Sequence, residues 1–191
     1  DVWDYLSSLV DKERVEDGIR AKREMADTLR RIESRYGVKA EHVLGVWGVE
    51  SNFGQTLGKK DLFQSLATLS CFDRRQSYFR GEYANALKIV QNGDIAASDM
   101  KGSWAGAFGQ TQFMPGTFLE LAVDFDGDGR RDLVNSKPDA LASTANFLAK
   151  RGYRSGEPWG YEVKIPAGFW GSNSRTDKKS MSYWRDKGFT L

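Results

Sequence analysis

Hydrophobic residues recur every three or four positions along most of this chain, which is the spacing of amphipathic α-helices. The helices that this spacing predicts begin near Val2, Ala21, Ala40, Leu62, Gln76, Pro115, Pro138 and Met181. Gly18 is expected to separate the first two helices, and Gly37 to end the second. Residues 161–165 instead alternate apolar and charged side chains, which predicts a strand. We therefore expect a mainly α fold, α+β in class, with a short strand element.

Length and composition place the chain among ordinary globular proteins. It has 191 residues, of which 40% are hydrophobic and 28% are charged, which is enough for a single domain over residues 1–191. A net charge of +2 gives no basis for a nucleic-acid partner. No apolar run reaches membrane-spanning length, and no secretory signal is visible. Because the chain begins abruptly at Asp1, we expect a mature or trimmed form.

The single histidine and the single cysteine exclude several kinds of site. His42 stands alone, so a multi-histidine zinc site and a catalytic triad with a second histidine are both excluded. Cys71 cannot form an intrachain disulfide. Its apolar neighbours predict a core residue rather than a nucleophile.

Glu50 is a carboxylate at a position where the pattern calls for an apolar residue. Val43, Val46 and Trp47 precede it by seven, four and three positions, so all four share one face of the predicted helix. A carboxyl held on that face would be poorly solvated, which favours the protonated form that a general acid needs. The alternative is a helix-end glutamate that points to water, which is the commoner situation for a single Glu.

A glycine-rich segment at residues 102–112 offers hydrogen-bonding side chains beside a closely approachable backbone. The side chains that could donate or accept these bonds are those of Ser103, Gln110 and Gln112. No Gly-Lys-Ser/Thr sequence follows, so the segment is not a phosphate-binding loop.

An acidic segment has the ligand spacing of an EF-hand-type calcium loop. The acids at loop positions 1, 3, 5 and 9 are Asp124, Asp126, Asp128 and Asp132. Gly129 occupies position 6, and position 7 offers the backbone carbonyl of Arg130. Position 12 is Asn135 instead of Glu, and Asp139 is the candidate for the missing carboxylate. We expect a structural calcium site in an EF-hand-like insert at about 116–150; the alternative is an acidic turn without metal.

Several segments together carry the residues of one enzyme family. They are GVWGVESNFG at 45–54, ATLS at 67–70, RR at 74–75 with YF at 78–79, GSWAGAFGQ at 102–110 with QFMP at 112–115, and the acidic segment 124–132 with Asp139. In combination, over roughly residues 35–190, they resemble the MltB-type lytic transglycosylases, glycoside hydrolase family 103. The resemblance implies a lysozyme-like core and a peptidoglycan substrate in a bacterial periplasm.

The resemblance also implies roles for particular residues. Glu50 matches the catalytic acid/base, Ser103 and Gln112 match residues that contact the sugar and its N-acetyl group, and the acidic segment matches a calcium site. The residues that match the groove lining are Arg74, Arg75 and Tyr78. Phe147 stands where a groove tyrosine is expected, and the closing Tyr-Asn…Tyr segment has no match before Leu191. We therefore expect a C-terminus that is either truncated or different.

The predicted activity is non-hydrolytic cleavage of the β-1,4 bond between N-acetylmuramic acid and N-acetylglucosamine. Glu50 would act as the single acid/base, and the product would carry a 1,6-anhydromuramoyl end. The expected partner is the peptidoglycan glycan strand, bound by a monomer, and a lipid anchor to the outer membrane on a longer precursor stays open. Two alternatives also stay open: a hydrolytic muramidase on the same core, and a non-catalytic calcium-stabilised module that binds peptidoglycan.

Overall fold

The computed structural model describes residues 2–158, 160–171, 176 and 178–191. The helices are α1 (Val2–Leu9), α2 (Lys12–Glu24), α3 (Ala26–Tyr36), α4 (Ala40–Ser51), α5 (Leu62–Phe72), α6 (Gln76–Gln91), α7 (Pro115–Leu121), α8 (Lys137–Lys150) and α9 (Met181–Asp186), with a 3-10 turn at Ala97–Asp99. Strand β1 (Lys60–Asp61) pairs antiparallel with β2 (Lys101–Gly102). The predicted mainly α fold with a short strand element is confirmed. Among the described residues, no helix is both long enough and apolar enough to cross a membrane.

The first helices differ from the prediction in where they break. Helix α2 continues through Gly18, and the breaks fall instead at residues 10–11, between α1 and α2, and at Met25, between α2 and α3. Gly18 lacks a side chain because the Phe53 ring occupies that space: a Cβ there would lie 3.1 Å from Phe53 Cζ. Gly37 ends α3 in the left-handed conformation, as predicted.

The strand predicted at residues 161–165 is absent. Lys164 forms only an isolated bridge to Thr190, with its N–H donating to the Thr190 carbonyl at 2.8 Å. The apolar side chains of Tyr161, Val163 and Ile165 remain exposed. Alternation stabilises a strand only when one face is buried and a partner continues the hydrogen bonding, and the described part of this segment has neither.

The chain divides into two compact units, residues 1–155 and 156–191, and the single domain over 1–191 stays a prediction. In the first unit, one core lies among α5, α6 and α7 around Phe108, and a second lies among α3, α4 and α8 around Trp47. The second unit is held by aromatic contacts, with the ring centroid of Phe189 lying 4.9 Å from that of Phe169 and 5.1 Å from that of Trp184.

Cys71 is exposed, so the prediction that it lies in the core is wrong. The buried positions of α5 are Leu62, Leu66 and Ser70, which recur every four residues. Cys71 is one position past this stripe, and the helical rotation of about 100° per residue places it on the outer surface.

A reverse turn after α4 folds Phe53 back against its own helix. Phe53 has a positive φ of 56°, and its ring meets Trp47 edge-on at 5.6 Å between centroids. A Cβ on Gly48 would lie only 2.7 Å from Phe53 Cζ, so the close approach requires glycine at position 48.

We predict that Gly48→Ala lowers the free energy of unfolding by about 1 to 3 kcal/mol, because the added methyl group overlaps the Phe53 ring. Gly45→Ala in the same helix is the matched control, since a Cβ there meets nothing within 4 Å. Alanine at position 45 should instead stabilise by up to about 1 kcal/mol through helix propensity. Urea unfolding of both variants tests the packing, and equal effects of the two substitutions would contradict it.

Candidate active site

Glu50 is the second-last residue of α4 and lies at the edge of that helix's buried stripe. Val43 and Trp47 are buried and Val46 is half-buried, but the Glu50 side chain is exposed. The stripe continues from Trp47 to Ser51, which is 2% exposed, and so passes beside Glu50. The carboxyl predicted to be poorly solvated thus belongs to an exposed side chain.

The Glu50 carboxyl is nevertheless partly desolvated. The surrounding protein displaces water from it, and this desolvation raises the pKa of Glu50 above its ordinary value of 4.5. No hydrogen bond or ion pair to the carboxyl occurs among the described residues, so no neighbouring cation favours its charged form. A carboxyl reachable from solvent, with a raised pKa and no fixed partner, can deliver a proton to a bound ligand.

The other carboxyls that pack into the first unit have fixed partners. Glu82 is buried, and its Oε2 accepts a hydrogen bond from the Gly116 N–H at 2.7 Å. Asp139 is fully buried, and burial raises the pKa of its carboxyl against the opposing effect of backbone hydrogen bonds. Both hold backbone N–H groups, whereas the Glu50 carboxyl has no hydrogen-bond partner among the described residues, which makes it the candidate acid/base.

The glycine-rich segment forms a tight hydrogen-bonded turn. Ser103 N–H donates to the Ala107 carbonyl at 2.8 Å, and the Ala107 N–H donates to Ser103 Oγ at 3.1 Å. Trp104 lies within this turn and is 71% exposed. Gln112, in a left-handed conformation with φ 51°, donates through Nε2 to the carbonyls of Gly109 and Leu57. The turn therefore holds Ser103 and Gln112 in fixed positions and presents the Trp104 indole to solvent.

Gln110 is a central residue that the sequence did not distinguish from Gln112. Its side chain is buried, with Oε1 accepting from Trp47 Nε1 at 3.0 Å and Nε2 donating to the Val134 carbonyl at 3.0 Å. Its backbone carbonyl accepts from Ser51 Oγ at 2.6 Å, and its N–H donates to the Leu133 carbonyl at 2.8 Å. It thereby joins the end of α4 to residues 133–134.

Arg74, Arg75 and Tyr78 lie together where α5 turns into α6. The Arg75 guanidinium lies over the rings of Tyr78 and Phe79, at 5.5 and 5.0 Å from their centroids. Desolvation, and then the charge of Glu82, raises the pKa of Tyr78. Arg74, Arg75 and Tyr78 are all exposed, so this corner presents two cations and a phenol to solvent.

Phe147 is half-buried, and its side chain packs against Phe113 and Arg151. Its ring contacts Phe113 at 5.7 Å between centroids, and the Arg151 guanidinium covers it at 5.6 Å. Phe113 directly follows Gln112, so Phe147 supports the glycine-rich segment from behind. Its predicted contact with substrate stays a prediction.

Three of the predicted metal ligands come together in the acidic segment. Carboxylate oxygens of Asp124, Asp126 and Asp128 lie within 4.8 Å of one another. Asp124 also accepts the N–H groups of Gly127 and Gly129, at 2.7 and 2.9 Å, which closes the loop around the cluster.

The other predicted ligands have different surroundings. The Arg130 side chain pairs with Asp128 at 3.2 Å. Asp132 is buried and accepts the N–H groups of Val134 and Asn135. Asp139 accepts the N–H groups of Phe125 at 2.7 Å and Asp132 at 2.9 Å, and so braces the loop from inside.

The chain is similar to known proteins over its whole length. A family model described as "Transglycosylase SLT domain" matches residues 1–191. Membrane-bound lytic murein transglycosylase B of Escherichia coli K12 is 36% identical over 154 residues, which are 80% of this chain and 42% of that protein.

Two solved structures have the same fold. SltB3 from Pseudomonas aeruginosa, in complex with NAG-NAM-pentapeptide, superposes with a TM-score of 0.88 at 46% identity, covering 98% of this chain and 50% of that one. Slt35 from Escherichia coli, in complex with calcium, gives a TM-score of 0.88 at 33% identity, covering 98% of this chain and 60% of that one. The chain thus spans about half the length of these relatives. The resemblance indicated by the motifs is confirmed, and the chain belongs to the family of the transglycosylase SLT domain.

Proposed function

We propose that this chain is the catalytic domain of a peptidoglycan lytic transglycosylase and that Glu50 is its single acid/base. The observation that carries the proposal is the Glu50 carboxyl at the solvent-facing end of α4, which is partly desolvated and has no fixed partner among the described residues. Family membership supports the reaction class, and the NAG-NAM-pentapeptide bound to SltB3 supports the substrate class.

The reaction needs one group that gives and then takes a proton. Neutral Glu50 donates its proton to the glycosidic oxygen between N-acetylmuramic acid and N-acetylglucosamine as the bond to C1 breaks. The acetamido oxygen of the substrate stabilises the positive charge at C1. The Glu50 carboxylate then accepts the proton of the C6 hydroxyl while O6 bonds to C1. The 1,6-anhydro ring closes, no water is consumed, and Glu50 is neutral again.

The surrounding residues suit a glycopeptide. Ser103 and Gln112 are fixed by the hydrogen bonds of the glycine-rich turn and would bind sugar hydroxyl and N-acetyl groups. The exposed Trp104 indole offers an apolar face to a pyranose ring. Arg74 and Arg75 would pair with stem-peptide carboxylates.

The exposure of Glu50 favours one rival, a hydrolytic muramidase. Water that reaches the carboxyl could attack C1 in place of O6, and exclusion of water is what separates the two outcomes. The products distinguish them, because the anhydro end is lighter by one water than a reducing end.

We also propose that the acidic segment binds calcium as a structural ion in a monomeric, periplasmic protein. The oxygen-only cluster of Asp124, Asp126 and Asp128 fits a hard cation, and Slt35 is a relative in complex with calcium. Asp132 and the Arg130 carbonyl are the next candidate ligands, and Asp139 braces the loop beneath them. Calcium would neutralise carboxylates that otherwise repel one another.

Glu50→Gln should reduce the release of soluble products from purified sacculi by at least about 100-fold, because proton transfer is lost while size and shape are kept. Glu41→Gln, in the same helix but in an exposed ion pair with Lys22, is the matched control and should keep parental activity. Mass spectrometry should find 1,6-anhydromuramoyl ends in the parent's products. Reducing ends would instead establish the muramidase, and a fully active Glu50→Gln protein would remove Glu50 from its role.

Activity should fall as pH rises through the raised pKa of Glu50, because the acid form is lost.

The free energy of unfolding should change with pH in the same direction. The folded state binds this proton more tightly than the unfolded state, so the parent loses stability as pH rises from 4.5 through the raised value. The melting temperature of Glu50→Gln should therefore exceed that of the parent by up to about 2 °C at pH 7. Below pH 4.5 the two melting temperatures should be equal. A lower melting temperature for Glu50→Gln at pH 7 would contradict the desolvation argument.

Chelation should lower the melting temperature. With calcium hundredfold above its Kd, binding stabilises by about 2.7 kcal/mol, which corresponds to about 5 to 10 °C for a chain of this size. The doubly substituted Asp126→Asn, Asp128→Asn protein should lose this response, whereas Asp99→Asn, outside the loop, should keep it. Differential scanning calorimetry with calcium chloride and with EDTA provides the measurement, and identical parental melts would exclude the site.

A further inference from the structure

The Gln110 side chain lies between the helix that carries Glu50 and the end of the acidic loop. We propose that Gln110 is a positioning residue: it holds the end of α4 in register with residues 133–134, so that the geometry of the acidic loop determines the position of Glu50. The consequence for catalysis rests on the proposed function of Glu50, whereas the coupling itself does not.

On the α4 side, Gln110 binds the residues on both sides of Glu50 along the chain. Trp47, three residues before Glu50, donates its indole N–H to Gln110 Oε1 at 3.0 Å. Ser51, the next residue after Glu50, donates its hydroxyl to the Gln110 carbonyl at 2.6 Å and accepts the Gly54 N–H at 2.9 Å. Because Trp47 and Ser51 both bind Gln110, rotation or translation of this helix end would break at least one of these hydrogen bonds. Gln110 therefore determines the position of Glu50.

On the other side, Gln110 binds the peptide that closes the acidic loop. Its N–H donates to the Leu133 carbonyl at 2.8 Å, and its Nε2 donates to the Val134 carbonyl at 3.0 Å. The Asp132 carboxylate accepts the Val134 N–H at 2.9 Å from within the loop. A shift of Asp132 therefore moves both carbonyls that Gln110 binds.

Close packing leaves this connection little freedom to adjust. Gly54 has φ 83°, and a Cβ there would lie 2.7 Å from Gln110 Oε1. Gly109 has φ 77°, and a Cβ there would lie 2.8 Å from the Leu133 carbonyl oxygen. Both glycines let backbone and amide approach directly, and contacts this close transmit a displacement instead of absorbing it.

Only a side-chain amide can form both hydrogen bonds at this position. Gln110 is 4% exposed and must accept from an indole and donate to a carbonyl in the same place. A glutamate would lose the donor and bury a charge, and a methionine of similar length has neither group. Gln110→Met therefore removes the side-chain connection at nearly constant shape.

The kinetic test compares Gln110→Met with Gln91→Met, an exposed glutamine at the end of α6. Misplacement of Glu50 should lower kcat for Gln110→Met by on the order of 10- to 100-fold and leave KM within about twofold. Gln91→Met should match the parent. An unchanged kcat in Gln110→Met would overturn the proposal.

The coupling is tested without turnover by NMR of the Trp47 indole N–H, assigned through Trp47→Phe in 15N-labelled protein. Asp132→Ala should shift this resonance in the parental background, both in EDTA and in calcium chloride. It should not shift the resonance in the Gln110→Met background. Asp99→Ala should shift it in neither.

A Trp47 resonance that ignores Asp132→Ala in the parent, or that shifts equally in both backgrounds, would refute the coupling. Should Gln110→Met not fold, Gln110→Leu replaces it in both experiments, because leucine also lacks the groups that bind Trp47 and Val134, and the same outcomes decide. An active Glu50→Gln protein would overturn the proposed function and leave the NMR result standing.

Discussion

The need to satisfy buried polar groups around Gln110 is the constraint on which the rest of this site depends. An amide that is removed from water must find a donor and an acceptor, and here it finds them on elements distant in sequence, Trp47 on α4 and Val134 after the acidic loop. The helix that carries Glu50, the glycine-rich turn and the end of the acidic loop therefore have one mutual arrangement in which all these groups are paired.

The same rule explains why one carboxyl differs from its neighbours. Glu82 and Asp139 lie in the protein interior, and each accepts backbone N–H groups that hold two segments together. The Glu50 side chain is exposed to solvent and partly desolvated by the surrounding protein, and no donor to its carboxyl occurs in the part of the chain that the structure describes. A carboxyl whose oxygens are held by backbone N–H groups in the interior cannot reach a ligand, whereas one that is only partly desolvated can. The proposed role of Glu50 thus depends on a carboxyl that has no fixed partner among the described residues.

Packing against α4 contributes the rigidity that such a site needs. The Phe53 ring fills the space left by Gly18 and Gly48, so the turn after Glu50 lies against two helices at once. Exchange of either glycine for a larger residue would shift the turn, and with it the helix end. In the acidic loop, Asp139 holds the backbone by accepting the N–H groups of Phe125 and Asp132. These supports are built from short contacts that leave the local backbone few alternatives.

Features that depend on local periodicity could be predicted from the sequence. The helix that begins at Gln76, the helix end at Gly37 and the clustering of the loop aspartates follow from spacing along the chain, and all appear in the structure. The motif pattern also indicated the family. The exposure of Glu50 and Cys71, the missing strand at 161–165 and the hydrogen bonds of Gln110 could not be predicted in this way. Each of these depends on what packs against the residue from elsewhere in the chain, and spacing along the sequence carries no information about that partner.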